Sequence, residues 1–351
     1  MKEASRQETS QVERYLLGLT EALNLRVAIN RAAYMVRTGH KRMNCLDDEV
    51  AEEALEIPIH LDPILKSKDI VVSPMPNTGD ETEARLIPRE GGFLVQMKAG
   101  LPETRKRFVL AHEIGHSIFY EETEGLPRHQ ISTMNEKDRL SEERLCNRFA
   151  RALLLPEAHL KRDLIGLEKA PSPWDIVKLI CRLSGRYKVS TALLILRMGE
   201  INAPAPPLLV LSFRLSENFY KGGDRALRAE SVATLGKAKT IWLGRNRTTT
   251  GMGLAAVSEL FNAWESQSER VSVAEPGQYV LGETGNLSGL AFSGGAGIRG
   301  HVNVSMKIQD RWVKEELPVR IASCLLVPSG AAGREDVSII SVVAIDQCDL
   351  E

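Results

Sequence analysis

Phe108-Val109-Leu110-Ala111-His112-Glu113-Ile114-Gly115-His116, continuing to Tyr120, reads as a single helix. His112 and His116, four residues apart, fall one above the other on one helix face, so both imidazoles can reach the same zinc ion. Glu113 is turned toward the side where a water would complete the ion's shell. There it can act as a general base on that water. Val109, Leu110, Ile114, Ile118 and Phe119 supply the apolar positions of a helix that is largely buried, as a metal-bearing core helix requires. Gly115 costs about 1 kcal/mol of helix propensity relative to alanine, which implies close approach of another backbone or side chain.

Catalytic zinc normally takes three protein ligands and leaves one position for water, so a third ligand is needed. The next strongly helical segment, about Asp138 to Leu155, supplies it. Its apolar face comprises Leu140, Cys146, Phe149, Ala150, Leu153 and Leu154, and Pro156 marks its end. Glu142 and Glu143 both border that face. Periodicity does not choose between them, because Glu142 aligns with Cys146 and Phe149 while Glu143 aligns with Cys146, Asn147 and Ala150. A carboxylate on a second helix after a two-histidine helix is the gluzincin type of ligand set.

The segments Arg107 to His116 and Glu143-Arg144-Leu145-Cys146-Asn147-Arg148-Phe149-Ala150, closing on Leu153-Leu154-Leu155-Pro156, resemble the ImmA/IrrE metallopeptidase family. In that family the second motif runs E-x-x-A-N-x-F-A before a leucine-rich stretch and a proline, and its glutamate is the third zinc ligand. The resemblance therefore implies Glu143 as that ligand. Cys146 stands where the family usually has alanine, a small-for-small change that keeps the register. Asn147 matches the family asparagine, and the resemblance gives it a hydrogen bond that holds a ligand or the helix pair.

The resemblance spans roughly residues 50 to 200. Upstream, Ile57 to Asp62 and Ile70 to Val72 look like a short helix followed by a strand. Arg85-Leu86-Ile87-Pro88 and Gly92-Phe93-Leu94-Val95-Gln96 read as a hairpin, a reduced form of the sheet bordering zincin clefts. Downstream, Trp174 to Met198 reads as helix, Gly185-to-Ser190 turn, helix, like the helix-turn-helix-like segment of the family. Leu193, Leu194, Ile195 and Leu196 leave little polar surface for base edges, so packing is the reading preferred over DNA contact.

With 351 residues the chain exceeds what one core usually holds, and 43% hydrophobic with 26% charged residues is ordinary for a soluble protein. A net charge of -1 and a pI of 6.7 create no global field for nucleic acid or anionic membrane. The polar Met1-to-Glu8 start and the lack of a long apolar run lead us to expect a cytosolic protein with no membrane partner. Five cysteines without C-x-x-C spacing argue against a disulfide framework and a zinc ribbon. Cys45, Cys181, Cys324 and Cys348 read as reduced thiols, and Cys146 as a small buried residue.

Glu200-to-Pro207, with three prolines in its last four residues, reads as a stiff linker. Beyond it, Leu208 to Phe213, Lys239 to Leu243, His301 to Ile308, Val319 to Val327 and Val337 to Ala344 read as strands. Asp224 to Lys237 and Gly253 to Trp264 read as helices. Gly295-Ala296-Gly297-Ile298-Arg299-Gly300 matches the dinucleotide fingerprint but precedes a strand, so Gly282 to Gly300 is read as a flexible hairpin loop. Thr248 to Gly253 is read as a plain helix entry rather than an anion cradle.

The expected fold is α+β, with four parts. An N-terminal helical extension covers 1–49, and a zincin-like core with a small sheet covers 50–160. A helix-turn-helix-like segment and linker cover 161–204, and a mixed α/β sensor or docking domain covers 205–351. The expected function is zinc-dependent endopeptidase, with His112, His116 and Glu143 on the metal and Glu113 as base. Tyr120 and His129 are the nearest candidates by sequence for an oxyanion donor. The resemblance implies a regulatory protein substrate, typically a helix-turn-helix transcriptional repressor in a stress, mobile-element or defence response. The alternative is a non-proteolytic or DNA-associated regulatory protein on the same zinc scaffold. The carboxylate of Glu113, which a purely structural site does not need, favours the enzyme.

Overall fold

The computed structural model describes residues 9–39, 55–76, 82–121, 125–165, 167, 173–201, 208–216, 226–235, 241–242, 290–293, 297–308, 311–328 and 338–345. The chain forms two compact units, one of residues 1–160 with 187–189 and one of 161–186 with 190–351.

The first unit begins with α1 (Gln11–Leu19), started by a reciprocal capping box between Ser10 and Glu13, and α2 (Leu25–Thr38), capped by Asn24. Both helices pack on the long helix Glu136–Leu154. The backbone N–H of Gln11 donates to Asp138 at 2.8 Å, and an Arg37 guanidinium N–H donates to the Ala152 carbonyl at 2.7 Å. After α3 (Leu61–Ser67) come three strands, β1 (Ile70–Pro74), β2 (Ala84–Arg89) and β3 (Gly92–Met97), in the order β1-β3-β2. β1 runs parallel to β3, whereas β2 and β3 form the antiparallel hairpin read from the sequence. Gly92 is required at its turn: with φ at 150° and Asp69 O only 2.3 Å from where a Cβ would stand, no side chain fits.

β2 is thus an edge strand, and the next helix, α4 (Glu103–Ser117), packs against it. α4 starts five residues before the expected Phe108 and stops short of Tyr120, which opens the two-residue strand β4 (Tyr120–Glu121) paired with β5 (Arg128–His129). α5 (Glu136–Leu154), capped by Asn135, then lies along α4. Val109, Ala111, Ile114 and Gly115 on α4, and Leu145, Cys146, Phe149 and Ala150 on α5, are all buried. The gap at Gly115 is as tight as the sequence implied: an added Cβ would lie 3.0 Å from the Phe149 ring and 3.3 Å from Cys146 Cα. Leu140, expected on the apolar face, is 48% exposed, because the inward positions of the first turns belong to Asp138, Ser141 and Glu142. α6 (Glu157–Asp163) follows the break at Pro156.

In the second unit, α7 (Pro173–Tyr187) and α8 (Thr191–Glu200) form the expected helical pair, and Leu193, Leu194 and Ile195 are buried. The strands are β6 (Leu208–Ser216), β7 (Ala226–Leu235), β8 (Ile241–Trp242), β9 (Leu290–Ser293), β10 (Gly297–Ile308), β11 (Arg311–Pro328) and β12 (Ser338–Ile345). They make one seven-stranded sheet, β7-β6-β12-β11-β10-β8, with β9 also on β11, and every pairing is antiparallel.

This sheet corrects two expectations. Within the stretch read as a helix from Asp224 to Lys237, Ala226–Leu235 form strand β7, held along its length by β6, and among the described residues after 207 there are strands and no helices. Gly297 to Gly300 are not loop but the first residues of β10, and Leu290–Ser293 is a strand as well. The helix read at Gly253 to Trp264 and the helix entry at Thr248 to Gly253 lie outside the described residues.

Candidate metal centre

His112 and His116 lie one turn apart on α4, and their Nε2 atoms approach to 3.0 Å. α5 crosses them so that Glu143 presents Oε2 at 3.3 Å from His112 Nε2 and Oε1 at 3.4 Å from His116 Nε2. Two donors each bonded to a tetrahedral zinc at about 2.0–2.1 Å stand about 3.3 Å apart, so these three side chains fit one face of such a shell. The hydrogen bonds from both histidines pull the Glu143 carboxyl well below the usual carboxylate range.

Glu142, the other candidate from sequence, faces away from that triangle. His116 Nδ1–H donates to Glu142 Oε1 at 2.7 Å, and His129 Nε2–H donates to Oε2 at 3.1 Å. Burial alone would push this carboxyl up, but the two hydrogen bonds outweigh it and hold the pKa at about 2. A second group of metal-capable atoms, His116, Glu142 and Cys146, is also close together. Its 2.7 Å N···O contact is a direct hydrogen bond, too short for two ligands of one ion.

Glu113 is buried beside the histidines. Burial pushes its carboxyl up, which the two histidines oppose only in part, and the Leu86 backbone N–H hydrogen-bonds to it from β2. Leu86 and Ala84 therefore point their main-chain groups to the free edge of β2, since neighbours along a strand alternate in the side they bond to. That edge, Thr82 to Leu86, together with Arg105, Phe108, Val109, His112, Glu113, His116, Tyr120, Glu143 and Asn147, lines a cleft of about 510 Å³.

Of the two residues considered as oxyanion donors, Tyr120 lines this cleft, and burial with the nearby Glu142 charge raises its pKa, so the hydroxyl keeps its proton. His129 is elsewhere: its Nε2 is on Glu142, its Nδ1 meets the main chain of Ile131 at 3.1 Å, and it is not among the lining residues. Asn147 lines the cleft too, with no hydrogen bond to His112, His116 or Glu143 among the described residues. Sequence reading missed the pairing of Glu142 with two histidines and the approach of Leu86. No local pattern announces either, because both depend on contacts between elements.

Residues 65–198 match the IrrE N-terminal-like domain of the M78 peptidase family, a stretch that contains both motifs. The match lies within the first 200 residues and supports the ImmA/IrrE resemblance, a metallopeptidase-like scaffold, over that stretch. Among solved structures, a Mycobacterium tuberculosis transcriptional regulator is similar over 95% of this chain and 92% of its own, at 12% identity and a TM-score of 0.40. That likeness is too slight to establish a shared fold. No curated protein sequence matches the chain. Among the described residues, no helix is long and apolar enough to cross a membrane.

Proposed function

We propose that this protein is a cytosolic zinc endopeptidase of narrow specificity whose substrate is a regulatory protein, a helix-turn-helix transcriptional repressor above all. The observation that carries the reading is the three-donor triangle of His112, His116 and Glu143 with the buried carboxylate of Glu113 beside it in one cleft. A zinc ion bound there would supply Lewis acidity toward a peptide carbonyl and lower the pKa of water toward about 7.

The chain's own residues do the rest. The Glu113 carboxylate, fixed by the Leu86 N–H, accepts the proton of the attacking water and later returns it to the leaving amine. Its raised pKa suits both halves of that task. The outward N–H and C=O of Ala84 on β2 pair with an extended substrate segment, as an unpaired strand edge does. Tyr120 offers an O–H to the oxyanion. The sheet of the second unit serves as a sensor or docking module.

Glu113→Gln keeps the shape and all three metal donors but cannot take a proton. Zinc content and melting temperature should persist, while cleavage of a repressor encoded beside the gene falls by about 100- to 10,000-fold. Unchanged output of the variant in cells would transfer the function to the non-proteolytic binding protein.

A further inference from the structure

We propose that Glu142 and His129 are positioning residues that lock His116 in the tautomer and ring orientation the metal site needs, with the β4–β5 hairpin as the anchor. The inference rests on the zinc site read above.

The asymmetry between the two helix histidines carries it. Among the described residues, His112 Nδ1 is buried without a hydrogen-bond partner, so that ring has polar contacts only through Nε2, on the cleft side. His116 is held at both ends. Its Nδ1 meets Glu142 Oε1 at 2.7 Å, which places the proton on Nδ1 and leaves the Nε2 lone pair facing His112 and Glu143.

Glu142 is itself fixed by a second histidine. His129 Nδ1 is tethered at 3.1 Å from both the N–H and the C=O of Ile131, and the Glu142 carboxylate, which can only accept, takes the Nε2–H at 3.1 Å on Oε2. The ring of His129 stacks on Phe119 at 6.2 Å and meets Tyr120 edge-on at 5.0 Å, so it cannot swing away without unpacking the hairpin. The order is hairpin to His129, His129 to Glu142, Glu142 to His116. With its side chain only 9% exposed, the Glu142 carboxylate has little water to replace either partner.

Carboxylates that orient a metal-bound histidine typically account for about 10–100-fold in metal affinity. Zinc affinity of the full chain, measured by chelator competition, should therefore fall by that range in Glu142→Ala and less in His129→Phe, which keeps the ring packing. The double variant should bind no more weakly than Glu142→Ala, because His129 acts only through Glu142. In the zinc-loaded wild type, the Nδ1–H of His116 should give a slowly exchanging proton resonance, lost in Glu142→Ala.

Zinc affinity of His129→Phe and Glu142→Ala equal to wild type, or fully additive losses, would overturn the lock. If Glu142→Ala does not fold, His129→Phe decides alone, since it leaves the carboxylate in place. Failure of the site itself looks different: wild-type protein would take up no zinc, or His112→Ala would retain it, and both readings would fall together.

Discussion

On the buried side of the α4–α5 pair Glu142 is enclosed, its side chain 9% exposed and shared between His116 and His129. On the open side, one residue later, Glu143 is 57% exposed and faces the Nε2 atoms of His112 and His116 across the cleft. Successive residues on a helix point about 100° apart, and here that rotation separates a carboxylate that supports a histidine from one that can share its ion. The difference teaches that burial and proximity to histidine do not by themselves identify a metal ligand. The nitrogen that each carboxylate meets does so.

The largest test of this contrast is metal affinity. Glu143→Gln removes a charged donor from the triangle and should weaken zinc binding more than Glu142→Gln, which stays within the about 10–100-fold range of a supporting residue. Chelator competition on both variants gives the order directly. If Glu142→Gln proves the weaker binder, the two sides of the helix have been assigned the wrong way round.

Acid stability separates the two glutamates without any metal. Glu142 is held at about 2 against the ordinary carboxylate value of 4.5, so it contributes stability that is fully present above pH 4.5 and is lost as pH falls toward 2. Glu143 is also lowered, but at 57% exposure solvent screens most of its share. Denaturant unfolding of zinc-free protein across pH 5 to about 2 should show a shallower acid decline in Glu142→Gln than in wild type, and nearly the wild-type slope in Glu143→Gln. Equal slopes in all three would erase the distinction.

Much of the first unit was legible because its chemistry is local. The i, i+4 spacing of His112 and His116, the hairpin around Gly92 and the tight contact at Gly115 all follow from short-range patterns. The phase of α5 was not legible, because Asp138, Ser141 and Glu142 take inward positions that apolar periodicity assigns to residues such as Leu140. Asp138 is inward because it receives the α1 N–H of Gln11, and Glu142 because His129 arrives from a two-residue hairpin strand. In the second unit, Ala226-Leu227-Arg228-Ala229-Glu230 has helix-forming composition, yet β6 recruits it as β7. Sheet pairing overrides intrinsic preference there.

The smallest effect concerns the spacing that both glutamates depend on. Replacing Gly115 with alanine gains about 1 kcal/mol of helix propensity. The new methyl meets the Phe149 ring at 3.0 Å and Cys146 Cα at 3.3 Å, and overpacking of this kind costs about 1–3 kcal/mol. The net loss is about 0–2 kcal/mol, so the melting temperature of zinc-free protein should fall by no more than several degrees. The relief available is a shift of α5 by a few tenths of an ångström away from α4. Such a shift lengthens the 3.3 and 3.4 Å gaps to Glu143, and the 2.7 Å bond to Glu142, together. Gly115→Ala should therefore weaken zinc binding out of proportion to its effect on folding, and adding Phe149→Leu, which shortens the opposing side chain, should restore part of it. Wild-type zinc affinity in Gly115→Ala would mean that the loop ends rather than the α4–α5 spacing hold the carboxylates in place.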